Sequence, residues 1–113
     1  MSQTSAPGCR TFATAATGTA QTLDTLLAAA GITAAKPVEV WIQSAAAITL
    51  LGVAKARPAS GGAPVATVDS TGFALAATTI HRIPVNDPTG IAFTWTAAMS
   101  VAVMSNSDNQ GSL

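Results

Sequence analysis

The chain has 113 residues with five basic and five acidic side chains, so charged residues make up 9% of it against about 25% in an ordinary domain. That length suits one domain able to bury about 65% of its unfolded surface; the absence of a basic excess excludes phosphate-backbone binding, and the lone Cys9 excludes an internal disulfide. Alanine supplies 25 of the apolar residues, so packing depends on the larger side chains, each alanine burying little area.

Residues 1–11 read as an N-terminal arm with no basic and apolar leader pattern. A strand is expected near Phe12–Ala16. The stretch QTLDTLLAAAG then spaces Leu23, Leu26, Leu27 and Ala30 as one helical stripe. A short α-helix is expected over about residues 22–30, with Thr22 as cap, Asp24 at the positive end of the dipole and Gly31 as a left-handed stop. A helix of two turns is marginal alone, so a folded sheet must hold its leucines.

In VEVWIQ, Val38, Val40 and Ile42 alternate with Glu39, Trp41 and Gln43, the period of a half-buried strand. Ile48–Val53 follows as a second strand. KARPASGGAP, residues 55–64, reads as a flexible excursion. Phe73 and Leu75 alternate, and Ile80–Val85 is a further strand whose Pro84 points to a sheet edge or strand end. After the turn NDPTG, Ile91, Phe93 and Trp95 point one way and Ala92, Thr94 and Thr96 the other; Met99–Val103 repeats the alternation. The expected fold is mainly β: a small antiparallel sandwich or barrel-like domain over residues 12–104, with the helix plugging an open end and a polar tail over 105–113. The uncharged stretch 88–107 has an apolar centre too short and too interrupted for a membrane-spanning helix, so no membrane partner is expected.

Catalytic patterns are sparse. Asp69–Gly72, DSTG, resembles the Asp-Thr/Ser-Gly loop of aspartic proteases, but an extra residue intervenes and the chemistry needs two carboxylates sharing a proton. His81 is the sole histidine, and Asp69, Asp87 and Cys9 do not supply zinc-site spacing around it. No phosphate-cradling or nucleophile-elbow motif is present. The expectation is a protein that is not an enzyme, with no cofactor and no metal.

Trp95 shares the parity of Ile91 and Phe93 and reads as core. Trp41 lies opposite Val40 and Ile42, on the face a two-layer sandwich shows outward, where it fits a subunit interface, a face covered by a second layer, or a sugar-stacking platform. A surface so poor in ions can be covered by another subunit at little desolvation cost. The expected interface residues are Trp41 with Glu39 and Gln43, together with Arg10 and Phe12 where the arm meets the first strand.

The stretches TAQTLDTLLAAAG, VEVWIQSAAAITLLG, STGFALAATTIHRIP and GIAFTWTAAMSVAVMSN, together spanning roughly residues 17–106, resemble small single-domain structural proteins of tailed bacteriophages. In that group a short helix precedes a strand of the VEVWIQ kind, and a glycine-led turn begins a later strand pair. The resemblance implies a virion component assembled in the host cytoplasm: a capsid decoration or cement protein, with a tail or baseplate accessory as the alternative and a carbohydrate-binding module for host attachment after that. It implies as partners other copies in a homo-oligomer, a trimer among the candidates, and the major capsid protein or other virion proteins. The 55–64 loop and the arm depart from the group's pattern.

Overall fold

A computed structural model describes residues 9–32 and 37–105. Its elements run β1 (Cys9–Ala13), β2 (Gly18–Thr22), α1 (Leu23–Ala29), β3 (Pro37–Ser44), β4 (Ile48–Ala56), β5 (Val65–Val68), β6 (Phe73–Leu75), β7 (His81–Pro84), a 3-10 turn at Pro88–Gly90, β8 (Ile91–Trp95) and β9 (Met99–Ser105). Four strands form one antiparallel sheet in the order β1-β9-β3-β7, and five form a second in the order β2-β8-β4-β5 with β6 also on β4. The fold is mainly β, as the alternation predicts.

The two sheets close on one core. Val40, Ile42, Met99, Val101 and Val103 come from the four-stranded sheet, and Ile48, Leu75, Phe93 and Trp95 from the other. Burying a side chain of this size contributes about 1.5–3 kcal/mol. The alternation along β3 and β9 is kept: Val40 and Ile42 are buried beside the half-buried Trp41, and Met99, Val101 and Val103 beside the exposed Ser100. The side chain of Val38 lies outside the described set.

The helix is the crossover between sheets. β2 belongs to the five-stranded sheet and β3 to the other, and α1 joins β2 at Leu23 with Leu23, Leu26 and Leu27 in the common core. Its stop is a complete left-handed C-terminal motif: Gly31 has φ +79, the Gly31 N–H donates to Ala28 O at 3.0 Å, and the buried Ile32 donates to Leu27 O at 2.8 Å. Thr22 stands at the expected N-cap position but makes no side-chain capping bond. It ends β2, and its hydroxyl pairs with that of Thr25 at 2.9 Å instead of accepting from a backbone N–H.

Other boundaries shift for identifiable reasons. The expected arm of residues 1–11 and strand at 12–16 give way to β1 at Cys9–Ala13, which pairs residue by residue with β9, Cys9 opposite Met104 through Ala13 opposite Ser100. Residues 1–8 of that arm lie outside the described residues, as does the tail beyond Ser105, itself part of β9. β2 was not expected: GTAQT lacks large apolar residues, and the strand is broken by a bulge between Gly18 and Gln21 where Ala20 takes φ 50. Gly18 is there because Trp95 is: a Cβ on Gly18 would come within 2.3 Å of the indole ring. β4 runs three residues further than expected, to Ala56, because β5 pairs with Val53–Ala56 and so draws Lys55 and Ala56, the first two residues of the expected 55–64 excursion, into the strand.

Ala92 does not face solvent as its parity suggests; it is fully buried, and its register partner Leu51 is buried too, on the outward side of the five-stranded sheet. The turn after β5 folds over this side. A Cβ on Gly72 would lie 3.1 Å from Leu51 Cδ2 and 2.1 Å from Thr49 Cγ2, so only glycine lets the chain pass this close.

Candidate interaction surface

The register of the four-stranded sheet fixes what its outward face presents. Thr11, Ala102, Trp41 and Arg82 lie in one row across the strands; Ala13, Ser100 and Gln43 lie in the next, and Cys9, Met104, Glu39 and Pro84 in the row on the other side. Trp41 therefore stands among small side chains, and its two charged neighbours are both engaged with it. The indole N–H donates to Glu39 Oε1 at 2.5 Å, and the Arg82 guanidinium carbon lies 4.9 Å from the ring centroid, the distance of a cation–π contact. Beside the ring is a shallow depression of about 390 Å³ lined by Thr11, Gln43, Ser100, Ala102 and the exposed Ile80.

Of the five residues expected at an interface, Trp41, Glu39 and Gln43 share this face. Arg10 and Phe12 do not. Arg10 stands opposite Val103 and Phe12 opposite Val101, both core positions, so the two side chains project to the inward side of the sheet. Phe12 packs against the core from the sheet's edge, while Arg10 remains exposed there. With an arm expected over residues 1–11 and a strand only from Phe12, the two residues had no shared parity in the sequence; pairing with β9 supplies it. The residues that sequence reasoning missed are Thr11, Ser100, Ala102 and Arg82. Alternation on the MSVAVM strand would have placed Ser100 and Ala102 outward, but only the cross-strand register reveals that Arg82 meets Trp41.

The other tempting residues have local partners. The Asp69 N–H donates to Gly52 O at 2.9 Å, and its carboxylate fills the space a Gly52 Cβ would need. His81 Nε2 lies 2.9 Å from Ala76 O. Asp87 caps the 3-10 turn, accepting from the Thr89 N–H at 2.9 Å and the Thr89 hydroxyl at 2.7 Å, and pairs with Lys55 at 3.1 Å. These hydrogen bonds from Thr89, and then the Lys55 ammonium, hold the Asp87 carboxyl down at about 2. Cys9 is a free, exposed thiol on the outward face. Among the described residues no group of three or more His, Cys, Asp or Glu is placed to hold a metal ion, and no helix is long and apolar enough to cross a membrane.

A larger depression of about 620 Å³ opens between β4, β6 and the chain from Pro84 to Ile91, with Leu50, Phe73 and Val85 in its wall. Its carboxylate, Asp87, is already satisfied by Thr89 and Lys55, so the wall offers a ligand apolar contact and little direction.

The chain matches no protein-family model, and no curated protein or solved structure is significantly similar to it.

Proposed function

We infer that this chain is a structural subunit without catalytic activity, one that works by docking the outward face of its four-stranded sheet against protein. The observation that carries this reading is Trp41: a large indole at the centre of an outward face, with small uncharged neighbours and with its adjacent acid and base both turned onto the ring. Covering such a face removes little charge from water, and a tryptophan at the centre of a desolvated patch carries a disproportionate share of binding energy.

The resemblance of the helix, strand and turn segments to tailed-phage structural proteins supplies the setting. In that setting the chain is a virion component, a capsid decoration or cement protein that self-associates and grips the assembled shell. Linked contacts of modest size raise effective concentration and make detachment rare, which suits a cement that resists internal pressure without chemistry. Quantitative mass spectrometry of purified particles tests this directly. Hundreds of copies per particle support a shell role, a handful supports the tail alternative, and absence from particles removes the virion reading.

A further inference from the structure

The two sheets have lateral edges that are not equally protected. A strand edge recruits other strands unless a proline, a charge, a bulge or sheer shortness blocks it. Edge strand β7 ends in Pro84, which has no N–H, and carries Arg82. Edge strand β2 is interrupted by its bulge, and the Ala20 N–H is turned onto Thr94 Oγ1 at 2.9 Å. β5 and β6 are four and three residues long and separated by the 69–72 turn. β1 carries one of these guards, the exposed Arg10, but neither of the backbone ones: its five residues hold unbroken register on β9 without proline or bulge, and among the described residues no strand lies on its other side.

Alternation decides which of its backbone groups are free. The Thr14 N–H donates to Met99 O at 2.9 Å, so at period two Phe12 and Arg10 turn their N–H and C=O towards β9. Cys9, Thr11 and Ala13 turn theirs away.

We propose that β1 pairs antiparallel with β1 of a second copy of this chain, about a twofold axis through Thr11, joining two four-stranded sheets into one of eight strands. In this register Thr11 faces Thr11 of the second copy and Cys9 faces its Ala13, so the outward-directed groups of all three residues bond mutually. Side-chain chemistry selects the same register. Arg10 falls opposite Phe12 of the second copy, a cation beside an aromatic ring. A slip of two residues one way opposes Arg10 to Arg10, and a slip the other way sets Cys9 opposite Ala15, which has left the strand. The arrangement is self-complementary, as a twofold interface requires, and it makes one surface of two Trp41 faces, running through Ala102 and Thr11 of each copy. It rests on the edge geometry alone and stands independently of the virion reading.

The register has a covalent test that uses the natural Cys9. Ala13→Cys places a second thiol on the outward side, opposite Cys9 of the second copy at a Cα separation of about 5.5 Å, within disulfide range. Within one chain the same two positions lie about 13 Å apart along the strand, too far to bridge. Mild oxidation of Ala13→Cys is expected to give a dimer at twice the 11.2 kDa chain mass on a non-reducing gel, where the parent chain stays monomeric. Thr11→Pro removes only an outward N–H, and Thr11→Lys sets two ammonium groups against each other across the axis; either change, introduced into the Ala13→Cys chain, is expected to abolish the cross-link while the circular dichroism spectrum is kept. No cross-link from Ala13→Cys, or one that persists with both Thr11 changes, overturns the proposal.

Discussion

Arg82 and Trp41 are register partners on β7 and β3, and the guanidinium carbon rests 4.9 Å from the indole centroid. With the Glu39 carboxylate accepting from the indole N–H, Arg82 and Glu39 together hold the ring in one orientation before any partner arrives. Orientation fixed in advance lowers the entropy lost on docking. Trp41→Ala is therefore expected to weaken association or particle binding by at least about tenfold, the scale of an interface hot spot. The fold should persist, because Trp41 lies outside the common core; sedimentation at matched concentrations, with a thermal melt of each chain, reads both effects.

Trp95 is the counterpart that holds the fold. Its indole N–H donates to Ala15 O at 2.8 Å, tying the segment between β1 and β2 to the core, and its ring occupies the space a Gly18 side chain would need. Gly18→Ala forces the ring or the bulge to move and is expected to destabilise by about 1–3 kcal/mol, the usual cost of overpacking. Urea unfolding reads that change as a lower midpoint with an unchanged slope.

Gly31 tests the helix stop alone. Nothing lies within 4 Å of a Cβ built there, yet its φ is +79, so Gly31→Ala carries a backbone penalty without a steric one. A loss of about 1–2 kcal/mol is expected. Leu26→Ala, in contrast, opens a cavity where the helix meets the core and should cost about 2–5 kcal/mol; the same urea titration ranks the two.

The Asp87 cluster predicts an acid-side effect. Its carboxyl is held at about 2 in the folded chain against an ordinary value of 3.8. A depressed folded value means the contribution is complete above the unfolded value and fades as pH falls from near 4 through about 2. Thermal melts across that window should show a decline that Asp87→Asn reduces. The carboxylate is exposed, so the difference should be small and should shrink further in high salt.

Much of the fold is legible in the sequence because burial here follows a simple period. VEVWIQ and MSVAVM alternate cleanly, IAFTWT does so apart from the buried Ala92, and TLDTLLAAAG carries its own stop in Gly31. β2 and β5 were not legible: GTAQT and VATV offer small or exposed side chains, so their strand conformation is imposed by β8 and β4 and not by their own pattern. The burial of Ala92 and Leu51 depends on a turn crossing the back of the sheet, which no local period encodes.

For the surface, Trp41, Glu39 and Gln43 could be grouped from one strand. The placement of Arg10 and Phe12 required knowing that Cys9 already belongs to β1, and the contact with Arg82 required a pairing between residues far apart in the chain. Parity within a strand is local information, whereas register between strands is set by the whole core.

The claim that the Trp41 face is a docking surface is tested most directly by the fluorescence of that one indole. In a Trp95→Phe chain Trp41 is the only tryptophan, and iodide or acrylamide quenching reports its access to solvent while sedimentation reports assembly in the same samples. The account predicts that as concentration is raised and the sedimentation coefficient increases, the quenching constant falls. Assembly with an unchanged quenching constant, or a chain that remains solitary from micromolar to millimolar concentration, would contradict it.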